Sequence, residues 1–94
     1  MLSKIPINLE KIQQGNIDKE ILRASIIAEL DAINLYEQMA AMTNNEDLKK
    51  ILLDVAKEEK THVGEFQTLL LGQDKEQEEE LKAGKEEVEE ELAE

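Results

Sequence analysis

Cysteine is missing from this chain of 94 residues. Its absence removes disulfides, thiolate zinc sites, iron–sulfur clusters and rubredoxin-type centres, leaving carboxylates and the single histidine, His62, as the strong metal ligands. Aromatic residues are only 2% of the chain, Tyr36 and Phe66, so a core has to come from Ile, Leu, Val, Ala and Met, which favours helices over a sheet. No apolar run approaches the ~18 residues that span a membrane. The start, MLSKIPINLEK, lacks the apolar stretch of a secretory signal, and both features point to a soluble, cytoplasmic protein. Positive charge is scarce as well: 11 Lys+Arg face 23 Asp+Glu for a net −12. Nucleic acid and anionic membrane surfaces would repel such a chain and are excluded as partners. Residues 73–94 hold 11 acids against 3 lysines, so most of the imbalance sits in the last quarter.

What is present is helical periodicity in one domain. Pro6 suggests an extended start, followed by a short helical turn between Asn8 and Gly15. Ile17-Asp18-x-x-x-Leu22 offers an N-cap at Asp18 with apolar residues one before and four after it, so a first helix is expected from Lys19 to Met42. Thr43-Asn44-Asn45 reads as a polar turn with Asn45 as the next N-cap. The second helix carries Leu48, Ile51, Leu52, Val55, Ala56, Val63, Phe66, Leu69 and Leu70 at three- and four-residue steps and is expected to stop at Gly72. So short a connection makes the helices antiparallel neighbours. The chain divides into an N-terminal extension (1–17), a helical hairpin (18–72) and an acidic C-terminal segment (73–94), expected as a frayed helix or disorder. The first helix has two apolar faces, Leu22, Ile26, Ile33, Tyr36 and Ala40 on one and Ile21, Ala28, Ala32, Leu35, Met39 and Met42 on the other. One partner helix cannot cover both, and a two-fold dimer forming a four-helix bundle is the simplest remedy.

Three ionisable residues interrupt the apolar stripes. Glu29 lies seven after Leu22 and four before Ile33. Glu59 follows Val55 by four, and His62 precedes Phe66 by four. A carboxylate inside an apolar stripe needs a cation, a hydrogen-bond network or a gap open to water. A structural Glu–His hydrogen bond would answer that need. So would a metal, because Glu59-x-x-His62 with a lone Glu on the facing helix is half of the di-iron carboxylate set of ferritin-like bundles, and a two-fold axis would complete it to four Glu and two His. Oxygen-rich ligation with imidazole suits iron or manganese, and zinc or calcium could take the same place. Glu37, Glu58 and Glu65 read as solvated flanks, although Glu58 and Glu65 lie close enough to His62 to act as alternative ligands. Met39 and Met42 read as packing residues.

The segments Ile27-Ala28-Glu29-Leu30-Asp31-Ala32-Ile33-Asn34-Leu35-Tyr36-Glu37 and Glu58-Glu59-Lys60-Thr61-His62-Val63-Gly64-Glu65-Phe66 resemble the encapsulated ferritins, over residues 18–72. The resemblance implies an all-α half ferritin-like bundle that dimerises around a di-iron centre and assembles as five dimers in a ring inside an encapsulin nanocompartment. It implies Glu29, Glu59 and His62 as metal ligands and Tyr36 beside the centre, a residue that packing alone would also explain. Asp31 matches an outer carboxylate that takes in metal, while Ala28 stands where the family has a second acid. The ending Glu89-Glu90-Glu91-Leu92-Ala93-Glu94 lacks the apolar-basic targeting peptide of cargo members. A truncated chain or a domain joined ahead of a shell protein by an acidic linker would account for it. The implied activity is oxidation of Fe(II) by dioxygen for iron storage. A rubrerythrin-like di-iron peroxidase and a non-catalytic helical assembly module are the alternatives.

Overall fold

The computed structural model describes residues 16–93, and the turn expected between Asn8 and Gly15 lies outside them. Three helices follow one another: α1 (Ile17–Met42), α2 (Glu46–Gln73) and α3 (Lys75–Leu92). Among the described residues there is no strand and no helix long and apolar enough to cross a membrane. At 1.5 Å per residue, α1 and α2 are each about 40 Å long, and they pack side by side as the antiparallel hairpin that the short turn demands.

The turn forms as its side chains dictate. The Asn45 carboxamide oxygen accepts from the Leu48 N–H at 3.0 Å, and the Thr43 hydroxyl oxygen accepts from the Asn45 N–H at 3.1 Å, satisfying donors that a helix start leaves without partners. Two expectations are corrected, and for the acidic segment one of two stated alternatives is selected. Helix α1 begins at Ile17 with Asn16 in the N-cap position, so Asp18 is not the cap. It lies in the first turn with Glu20, where negative charge favours the helix dipole. Gly72 does not end α2, which continues to Gln73. No glycine of the described residues has a positive φ, so Gly72 is an ordinary helical residue whose cost, about 1 kcal/mol against alanine, the rest of the helix absorbs. The acidic segment, finally, is a continuous helix. Asp74 caps it by accepting from the Gln77 N–H at 3.0 Å and is tied back to α1 by Arg23, whose Nη2 donates to Asp74 Oδ2 at 2.9 Å.

The core is thin. Leu22, Ile33 and Ala40 from α1 and Ala56 and Leu70 from α2 are the buried apolar residues, and α3 adds none. The radius of gyration is 16.7 Å, against about 12 Å for a globular chain of this size. Large apolar side chains stay in solvent, among them Ile51, Leu69 and Met42, the last 81% exposed. Along α2, Leu48, Ile51, Val55, Phe66 and Leu69 share one flank by their three- and four-residue spacing, and that flank is left without a cover. The sequence pattern that asked for a partner copy is thus present as an open apolar surface.

Candidate metal centre

In the middle of that open flank α1 contributes Glu29, and α2 contributes Glu59 and His62, three residues apart and therefore on one side of the helix. His62 Nδ1 lies 3.4 Å from Glu29 Oε2 and 3.6 Å from Glu59 Oε2, and one ligand atom from each residue falls within 4.8 Å of the other two. Both carboxylate side chains are 19% exposed and the imidazole 43%. The hairpin thus brings together three residues that its sequence separates by up to 33 positions.

The distances bear on the hydrogen-bond alternative. Both exceed the usual 2.7–3.2 Å range for N–H···O bonds, and Glu29 Oε2 is buried with no hydrogen-bond partner. A neutral imidazole has one N–H and cannot satisfy two carboxylates at once. Nor does the neighbouring lysine help: Lys60 donates to Glu37 Oε2 at 3.1 Å, away from Glu59. The orphaned Glu29 oxygen leaves room for a further partner, and two carboxylate oxygens with one imidazole nitrogen form a donor set fitting Fe(II), Mn(II) or Zn(II).

Beside the three residues lies an open pocket of about 480 Å³ lined by Glu29, His62, Glu65, Phe66 and Leu69. Its wall separates two residues that the sequence treated alike: Glu65 lines it and Glu58 does not. The only signal for Glu65 in the sequence was its place three residues after His62. Tyr36, half-buried, follows two turns after Glu29 on the same side of α1, and Asp31 is about 200° around the helix from Glu29. Neither lines the pocket.

Three likenesses to known proteins accompany this geometry. The profile of a family described as EncFtn-like matches residues 5–84. A ferritin-like-encapsulin shell fusion protein of Pyrococcus furiosus is 61% identical over 92 residues, 96% of this chain and 27% of that protein. An encapsulin nanocompartment cargo protein of Myxococcus xanthus is 48% identical over 56 residues, 60% of this chain and 43% of that protein. The chain therefore spans about a quarter of the first relative's length and less than half of the second's. A crystal structure of an encapsulated ferritin domain from Pyrococcus furiosus superposes with a TM-score of 0.81 at 58% identity, covering 96% of this chain and 92% of that one.

Proposed function

The chain belongs to the EncFtn-like family, and we propose that it is a ferroxidase that oxidises Fe(II) with dioxygen at a centre shared by two copies of the chain. The observation that carries this reading is the cluster of Glu29, Glu59 and His62 with the orphaned Glu29 Oε2 at its heart. One chain supplies two carboxylates and one imidazole, too few for two iron ions. A two-fold partner laid on the open apolar flank doubles the set and covers the exposed leucines and isoleucine in one step.

Iron is the substrate. Glu29 and Glu59 supply hard anionic oxygens that favour Fe(III) over Fe(II), so the site lowers the cost of removing an electron. His62 offers an uncharged donor through Nδ1, the nitrogen that faces both carboxylates. Each Fe(II) gives up one electron, and a pair passes two to dioxygen, with two protons taken up to yield hydrogen peroxide. Tyr36, two turns after Glu29 on the same side of α1, is read as the phenol beside the centre, and Asp31, on another face of the helix, as an outer carboxylate that would act in metal uptake before the ion reaches the cluster. Similarity to a shell fusion protein and to a nanocompartment cargo protein supports an encapsulin shell as partner and compartment; the ring of five dimers as the assembled form, and iron leaving as mineral inside the shell, are the further parts of this proposal.

The test is oxygen consumption after mixing anaerobic Fe(II) with the protein in aerated buffer. Uptake well above that of buffer alone, and lost in Glu29→Ala, is the expected result. Uptake equal to the buffer rate would leave the apolar flank as a purely structural assembly surface.

A further inference from the structure

Both carboxylate side chains of the cluster are 19% exposed, so an iron ion has to approach them through an opening. The pocket of about 480 Å³ beside them provides one, lined by Glu29, His62, Glu65, Phe66 and Leu69. Phe66 and Leu69 offer a cation no charged or strong donor atom, and Glu29 and His62 already belong to the cluster. Glu65 is the one lining carboxylate outside it, and it is exposed to solvent. The helix explains this placement. Ala56 and Leu70 are the buried residues of α2 and mark its side toward α1, and Glu65 lies about 140–180° around the helix from both. A second copy laid on the flank of Val55, Phe66 and Leu69 therefore has Glu65 at the rim of the contact, beside water. Asp31 does not share this place, because it is about 200° around α1 from Glu29 and does not line the pocket.

We propose that Glu65 captures the substrate: its carboxylate receives hydrated Fe(II) at the mouth of the pocket and passes it to Glu29, Glu59 and His62. A carboxylate at the mouth of a cleft with apolar walls raises the local concentration of a doubly charged ion and speeds its arrival. Its hard oxygen also suits the ion as an interim partner while water is shed. No electron moves in this step, which exchanges water on the ion first for an oxygen of Glu65 and then for the donors of the cluster. The inference rests on the metal reading above and deepens it. It separates Glu65 from Glu58, an equally charged residue two turns earlier on the helix and outside the pocket. The role is one of rate, whereas a permanent ligand would set the spectrum of the bound metal.

Co(II), whose visible absorption reports its ligands, is the probe, mixed rapidly with the full chain in low-salt buffer. In the unaltered protein absorbance should rise to the spectrum of an ion held by oxygen and nitrogen donors. Glu65→Gln should slow that rise by about tenfold and reach the same final spectrum. Glu65→Asp, which keeps the charge, should recover much of the rate. Glu58→Gln removes an equal charge outside the pocket and should stay close to the unaltered protein. Helicity by circular dichroism checks that each variant folds. Glu65→Gln binding Co(II) as fast as Glu58→Gln would overturn the capture role while leaving the metal site standing. A changed final spectrum in Glu65→Gln would do the same, by making Glu65 a ligand. Co(II) that gains no such spectrum in the unaltered protein would overturn both readings.

Discussion

Helices α1 and α2 hold all the buried apolar residues of the described chain, whereas α3, 18 residues long, holds none. The hairpin forms because apolar residues recur at helical spacing and meet along its length. The third helix has little to bury and depends on local devices. Its start is capped by Asp74 and clamped by Arg23. Its surface carries Glu78–Lys82 and Lys85–Glu89 pairs at 3.6 and 3.8 Å, each contributing a few tenths of a kcal/mol. A helix of this length is marginal when isolated, so the Asp74 knot decides whether α3 is held against the hairpin. The difference locates function: the residues able to bind metal belong to the packed region, and the surplus negative charge belongs to the other.

Substitutions in the three clustered residues test the packed half most severely. Glu29→Ala, Glu59→Ala and His62→Ala should each reduce iron-dependent oxygen uptake by more than the ~10–100-fold that loss of a supporting partner costs, because each removes two ligands from a two-fold centre. Near-normal uptake in one of them would reassign that ligand.

Much of this was legible in the sequence because charge in an apolar stripe is conspicuous. Glu29, Glu59 and His62 stood out by breaking a pattern, and Asn45 announced the turn through its position before Glu46-Asp47. The end of α2 was misread because Gly72 is a stop signal only when the backbone turns left-handed, which it does not do here. The start of α1 was misread because Asn16 and Asp18 both suit a helix start. Helix α3 was underrated because its anchor, the Arg23–Asp74 pair, joins residues 51 positions apart, beyond the reach of periodicity. Glu65, which lines the pocket, could be told from Glu58 by nothing in the sequence, because at the edge of the stripe either carboxylate reads as a solvated flank or an alternative ligand.

A smaller effect should follow from cutting the knot. Asp74→Ala removes both the cap and the partner of Arg23, so amides in the first turns of α3 should exchange faster with solvent while those of the hairpin and the oxygen uptake stay as they were. Slowed iron oxidation in this variant would show that the third helix also serves the centre.

Acid should reach the same contact reversibly. The Gln77 N–H, followed by Arg23 and Lys19, holds the Asp74 carboxyl below its ordinary value of 3.8. The folded state therefore favours the ionised form. That contribution is complete above pH 3.8 and is lost as pH falls through the lower folded value. Helicity assigned to α3 should decline in that range in the unaltered protein, and Asp74→Asn, which keeps a capping oxygen without the charge, should lose this acid transition.

The smallest effect is expected at Lys60. Its pair with Glu37 joins side chains 59% and 46% exposed, and Lys60→Ala should change stability by no more than about 1 kcal/mol, read from a denaturant midpoint. A larger loss would mean that this flank is buried against another copy.

The central claim is that the hairpin holds half of a metal centre and a second copy holds the rest. Native mass spectrometry of the chain, first chelated and then supplied with Fe(II) without oxygen, tests this most directly. The account predicts smaller species under chelation and, on adding Fe(II), assemblies with an even number of chains carrying one iron per chain. Iron bound to isolated single chains, or an assembly unchanged by metal, would contradict it.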